Sequence, residues 1–135
     1  MNIEVALLCD IHAIAELDCH IPADRLAHCI QNENVMILKD GRSVAGVFRY
    51  SLFWQTIPFL DLIFLAEPFR HQGYGTQMME RWENDMKRAG YTYVMTSTQA
   101  DEDAWRFYEK RGYHRSGGFF PPDQEAEEWI YLKKL

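Results

Sequence analysis

A mixed α/β fold is predicted by three features of the sequence. The run "FLDLIFLA" is too apolar to alternate, so it reads as a strand covered on both faces at the centre of a sheet. Met78, Met79, Trp82, Met86 and Ala89 then recur at helical intervals, and "YTYVMTST" follows as another strand. A strand, helix, strand succession of this kind is the crossover that joins parallel neighbours. Upstream, two β-rich runs flank Asp40-Gly41, a dipeptide suited to a tight antiparallel hairpin.

The remaining elements follow in order. "NIEVALL" is a short first strand that begins almost at Met1, so its edge pairing is expected to fray. "DIHAIAELDCHI" and "PADRLAHCIQNEN" read as two short helices, with Pro22 suited to a first helical turn. Gly90 caps the helix that starts at Tyr74. "DEDAWRFYEKR" is a further helix, its acidic residues at the positive end and Gly112 closing it. "YHRSGGFF" and "EWIYLKK" are the last strands, around the acidic loop "PPDQEAEE". Neither linker nor repeat interrupts residues 1–135, which are expected to form a single domain.

Composition narrows the function. A formal charge of −6 repels phosphate backbones and argues against a nucleic-acid partner, while mildly favouring cationic small molecules. Membrane spans need roughly 18 apolar residues in a row and signal peptides a basic start, and both patterns are missing. A cytoplasmic protein is therefore expected. Cys9, Cys19 and Cys29 are too few for a disulfide framework, and beside His12, His20 and His28 they lack metal-ligand spacing. They read as small packing residues, with no metal expected.

The chemistry is concentrated in "EPFRHQGYGTQ", between the central strand and the helix. A helix N-terminus carries unpaired amides and about half a positive charge, and so attracts phosphate groups. Gly73 and Gly75 allow close approach to those amides, and Arg70 adds a cation, a set suited to a diphosphate. The third glycine of a dinucleotide fingerprint and the Gly-Lys-Ser/Thr of a P-loop are both missing.

Leu65, Pro68, Arg70, Gly73 and Gly75, read as L-x-x-P-x-R-x-x-G-x-G, resemble the acyl-CoA signature of the GNAT superfamily of N-acetyltransferases. "DEDAWRFYEKRGY" is similar to a second pattern of that family, and the order of elements matches along nearly the whole chain. The resemblance implies the GNAT fold: a single mixed, mostly antiparallel sheet splayed at strands four and five, with about four helices. It also implies that acetyl-CoA donates an acetyl group to an amine by direct attack. Amides from His71, Gln72, Gly73, Tyr74, Gly75 and Thr76 would hold the pyrophosphate. Phe64, Leu65 and Ala66 would pair with pantetheine, an amide near Leu65 facing the thioester oxygen.

By the same resemblance Tyr108 fills the general-acid position. Asp61 matches an acidic position of the family and is the first choice of base, with Glu67 the alternative; a carboxylate in an apolar strand needs a partner or a task. Asp101 stands where the family has Asn, and serves either through water or as a helix cap. Tyr50, Phe53 and Trp54 line an acceptor pocket or belong to the core, and the acidic loop 123–128 is a solvated run or a cation-recognition segment. The acceptor is expected to be a small-molecule amine. A protein N-acetyltransferase and a non-catalytic CoA sensor are the alternatives, and the C-terminal strands serve either as ordinary core strands or as a homodimer interface.

Overall fold

The computed structural model describes all 135 residues. The strands are β1 (Asn2–Val5), β2 (Val35–Asp40), β3 (Ser43–Phe53), β4 (Ile57–Leu65), β5 (Tyr93–Gln99), β6 (His114–Phe119) and β7 (Glu128–Lys134). The helices are α1 (Ile11–Leu17), α2 (Ala23–Gln31), α3 (Tyr74–Arg88) and α4 (Ala104–Lys110), with single 3-10 turns at Leu8–Asp10 and Glu67–Phe69. The strands form a seven-stranded sheet in the order β1-β2-β3-β4-β5-β7-β6, which puts β4 in the middle position. β1 with β2, β2 with β3, β5 with β7 and β6 with β7 are antiparallel. β4 and β5 are parallel, with Phe59 opposite Met95 and Leu60 opposite Thr96, and β4 runs on to Leu65. The mixed, mostly antiparallel sheet read from the sequence is the observed one.

The chain packs as two compact units, one of residues 1–51 with 61–84 and the other of residues 52–60 with 85–135. In the first, Ala6, Ile14, Leu26, Ile30, Val35, Ile37 and Val47 form a buried core. Leu26 and Ile30 lie one turn apart on α2, so its short helix is held by tertiary burial more than by length. Pro22 is the N-cap of α2, in the extended conformation, one residue ahead of the predicted first-turn position. β1 does not fray: all four residues pair with β2, and Arg81 donates to the Ile3 carbonyl at 3.0 Å. At the hairpin Asp40 pairs with Ser43, and Gly41 alone takes the left-handed φ of +61°. Along α3, Met78, Met79 and Trp82 are buried, the Trp82 ring lying 5.1 Å from Phe48 and 5.7 Å from Tyr50.

In the second unit, α4 is shorter than "DEDAWRFYEKR", because Asp103 is its N-cap and Asp101 and Glu102 lie in the preceding turn. Tyr108 faces inward from α4, its ring 5.8 Å from Tyr113 and 6.3 Å from Tyr131. The turn between β3 and β4 holds Trp54 and Gln55 at φ of +55° and +61°, a left-handed pair without the expected Gly or Asn. Trp54 is 78% exposed and packs only its face on Phe53, so it belongs to neither the core nor an enclosed pocket. All six residues of the edge strand β6 are exposed.

Candidate active site

The loop into α3 is built by two left-handed residues, His71 at φ +61° and Gly73 at φ +88°. His71, a bulky residue in that conformation, is held there by its neighbours: Gln72 Nε2 donates to the Pro68 carbonyl at 2.7 Å, which ties the loop to the 3-10 turn. The first helical bond of α3 runs from the Gln77 amide to the Gly73 carbonyl, at 3.1 Å. Amides of the first turn ahead of Gln77, among them those of Tyr74 and Gly75, thus have no helical carbonyl to donate to. The first turn of α3 contains no acidic residue, so its positive end is not neutralised from within. A Cβ built on Gly73 meets nothing within 4 Å, so this glycine is needed for its backbone angle and leaves open space beside the amides.

The end of β4 prepares a second set of backbone groups. The Ala66 amide donates to the Ala45 carbonyl at 2.8 Å, across to β3. Backbone groups alternate in direction along a strand, so the Leu65 amide points to the other side, away from β3. Of the three residues expected to pair with pantetheine, Ala66 has therefore committed its amide to β3. Arg70 is not poised over the loop. Its Nε donates to the Leu65 carbonyl at 2.8 Å and its guanidinium lies 5.1 Å from the Phe64 ring centre, which fixes the strand end and leaves its other nitrogens exposed. Gly46 on β3 makes this packing possible, since a Cβ there would stand 2.6 Å from Leu65 Cδ2 and 3.2 Å from the Phe64 carbonyl oxygen.

Asp61 belongs to a charged cluster. Its Oδ2 is 3.7 Å from Arg49 Nη1, and Arg49 Nε donates to Asp18 Oδ2 at 2.8 Å. Asp18 and Arg49 are both buried, whereas 27% of the Asp61 side chain is exposed. Burial raises the Asp61 carboxyl above the ordinary aspartate range, against the hydrogen bond from Ser51 and the charge of Arg49, which act downward; Asp18 pushes it up as well. Cys29 stands in the same electrostatic neighbourhood and packs against the core, whereas Cys9 and Cys19 are exposed, so the packing role expected of the three cysteines holds for Cys29 alone. Burial pushes the Cys29 thiol up, which keeps it protonated and unreactive. Glu67 lies in the exposed 3-10 turn beyond β4.

Tyr108 is 6% exposed, and burial, with the Glu128 carboxylate acting in the same direction, holds its phenol above the usual value. Thr96 acts on the phenol in the opposite direction, downward. The acidic loop is turned to structural use at its end: Glu128 accepts from Ser97 at 2.7 Å and from Gln124 at 3.2 Å, and Glu127 accepts from the Trp129 indole at 3.0 Å. Asp101 is exposed and does not cap α4, since that place is taken by Asp103. No group of three or more His, Cys, Asp or Glu residues stands where it could hold a metal ion.

Residues 6–113 match the acetyltransferase (GNAT) family. The chain belongs to that family. No curated protein matches the sequence significantly. Among solved structures, a GNAT-family acetyltransferase from Bacillus cereus is 23% identical, with 98% of this chain and 96% of that one covered and a TM-score of 0.80. The ribosomal-protein-S18-alanine N-acetyltransferase from Escherichia coli is 16% identical over 98% and 92% of the two chains, at a TM-score of 0.82. N-acetylglutamate synthase from Neisseria gonorrhoeae, in complex with coenzyme A and N-acetyl-glutamate, is 15% identical at a TM-score of 0.84; this chain is 99% covered and that one 35%.

The protein is thus a GNAT acetyltransferase, and the family uses acetyl-CoA. The residues present fit such a donor: an acid-free helix start, with glycine at its approach, suits the pyrophosphate. Four residues that matter to this GNAT geometry, Asp18, Gly46, Arg49 and Thr96, are not singled out in the sequence. Arg49 carried a signal, a cation within the otherwise apolar run "VAGVFRY"; the other three did not.

Proposed function

We propose that this GNAT protein is an acetyl-CoA-dependent N-acetyltransferase in which a primary amine attacks the thioester directly. Acetyl-CoA supplies the activated acetyl group. The new C–N bond forms as the C–S bond breaks, the amine loses a proton and the departing thiolate gains one. Tyr108 gives the thiolate its proton and Asp61 takes the proton of the amine, directly or through water, with Glu67 the alternative base. The amides from His71 to Thr76 hold the pyrophosphate, Phe64 to Ala66 line pantetheine, and Asp101 reaches the donor through water.

The single observation that carries this reading is the first turn of α3, where left-handed Gly73 precedes amides that no carboxylate of the turn neutralises. A raised carboxyl at Asp61 supports its choice as base, because a base with a higher pKa accepts a proton more readily near neutrality. Two carboxylates around one guanidinium in the Asp18, Arg49 and Asp61 cluster favour a small cationic amine as acceptor. Residues 1–135 act as one catalytic domain in the cytoplasm, without nucleic acid, metal or membrane, and the exposed β6 edge supports a homodimer. No helix is long and apolar enough to cross a membrane.

Calorimetry with CoA, followed by thiol release across polyamines, aminoglycosides, amino acids and peptides, tests the proposal. Saturable binding with thiol release on a small amine is expected, and Tyr108→Phe lowers kcat by about a hundredfold with CoA affinity unchanged. Release on peptides alone contradicts the small-molecule acceptor. Binding without release from any amine makes the protein a sensor, not an enzyme.

A further inference from the structure

The first unit holds a buried carboxylate to which the mechanism above gives no task. Asp18 ends α1, its amide donating to the Ile14 carbonyl at 2.8 Å, and is 1% exposed. That place is unfavourable for a carboxylate twice over, at the negative end of a helix and out of water. Two donors hold it there: the His20 amide at 3.3 Å from Oδ1, and Arg49 Nε at 2.8 Å from Oδ2. Arg49, on β3, is itself buried, and its Nη1 lies 3.7 Å from Oδ2 of Asp61 on β4. The contact with Asp18 is a charge-assisted hydrogen bond, whereas the contact with Asp61 is an ion pair too long to be one. One guanidinium thus stands between two carboxylates and is bonded to the more deeply buried of them.

We propose that Asp18 is a positioning residue for Asp61: bonded to Arg49 Nε, it holds the guanidinium back, so that Asp61 faces a nearby cation without being tied to it by a hydrogen bond. The inference rests on the reading of Asp61 as the base. A base needs a lone pair open to the proton it accepts. An arginine closed on Asp61 through its nitrogens would cover that lone pair and weaken its hold on a proton. A purely structural pair explains less, since apolar side chains of similar volume commonly stabilise a buried place as well. The other groups that face Asp61 neither compete for Arg49 nor replace its charge. Cys29 of α2, in the field of all three groups, is kept a neutral thiol by burial, and Ser51 of β3 acts on Asp61 as a neutral hydroxyl. Arg49 and Asp18 act on the Asp61 carboxyl in opposite directions, Arg49 downward and Asp18 upward, as a divided guanidinium requires.

Asp18→Asn removes the charge at nearly constant shape. Should the buried cation it leaves prevent folding, Asp18→Asn combined with Arg49→Met removes that cation too. The first readout needs neither donor nor acceptor: aspartate carboxyl carbons are labelled, the Asp61 signal is assigned by its loss in Asp61→Asn, and its acid titration is followed by NMR. The midpoint is expected to fall in Asp18→Asn, where Arg49, held only weakly by a neutral amide, closes on Asp61. In the double variant, which has no cation left, it is expected to rise above that of the native protein. A crystal structure of Asp18→Asn is expected to show an Arg49 nitrogen within hydrogen-bond distance of Asp61. In steady-state kinetics the acid limb of the kcat profile moves down in pH with the midpoint, and kcat at neutral pH falls by about threefold with an unchanged KM for acetyl-CoA. In the Asp61→Asn background, Asp18→Asn is expected to have no further effect on kcat. An unmoved or raised midpoint in Asp18→Asn, a gap that stays at 3.7 Å in its crystal structure, or an unmoved or lowered midpoint in the double variant overturns the positioning role. If Asp61→Asn itself keeps full kcat, the base reading fails first, and the titration still decides whether Asp18 holds Arg49 away from Asp61.

Discussion

The start of α3 carries no acidic residue in its first turn and is approached through His71, Gln72 and Gly73, whereas α4 is approached through Asp101, Glu102 and Asp103. Both ends expose the same kind of backbone amide and the same sign of dipole. They differ in who supplies the compensating anion. At α4 the chain places its own carboxylates at the helix start, which stabilises a helix of only seven residues but satisfies its field internally. At α3 the chain withholds them, and a helix of 15 residues with a buried face does not need them. On the proposed reading of α3, an anion site is marked as much by the missing carboxylates as by the glycines.

The most severe way to break that contrast is to give α3 what α4 has. Gly75→Asp places a carboxylate in the first turn, where it repels the pyrophosphate while still suiting the helix dipole. CoA affinity measured by calorimetry is expected to fall by about a hundredfold, with Tm unchanged. Next in size is Asp61→Asn, which separates the role of a carboxylate in chemistry from its role in the fold. Because the folded-state pKa of Asp61 is raised, its contribution to stability is present at low pH and is lost as pH rises through that value. At neutral pH the neutral amide is therefore expected to leave Tm equal or higher, while kcat drops about tenfold and the acid limb of its pH profile flattens.

Smaller still is Arg70→Ala. Arg70 binds the Leu65 carbonyl instead of reaching over the loop, so its loss loosens the strand end and removes one exposed cation. CoA affinity is expected to weaken by only about three- to fivefold, which calorimetry resolves. The smallest change is Asp101→Asn, which takes one carboxylate from the approach to α4 and supplies an amide donor. It is expected to strengthen CoA binding by about twofold in the same titration.

Most of the fold was legible because its signals are local. The Asp40-Gly41 hairpin, the apolar spacing along α3 and the continuous apolar run of β4 each lie within one segment of chain. The cap of α4 was harder, since three acids stand in a row and nothing in the sequence selects Asp103 among them. The Trp54-Gln55 turn has no residue that favours its left-handed angles, so nothing in the sequence announces it. Partners distant in sequence were the least visible. Asp18 meets Arg49 from 31 residues away, and Thr96 meets Leu60 from 36, so neither hydrogen bond leaves a spacing that can be read. Arg70 shows a subtler limit: its type and position suited an anion contact, and the structure spends its Nε on a carbonyl five residues back.

The most direct test of the α3 cradle follows backbone amides by heteronuclear NMR as CoA is added. The signals of Gly73, Tyr74 and Gly75 are predicted to shift together along one saturating curve that coincides with the calorimetric isotherm. Saturable binding that leaves these three amides unmoved would contradict the account.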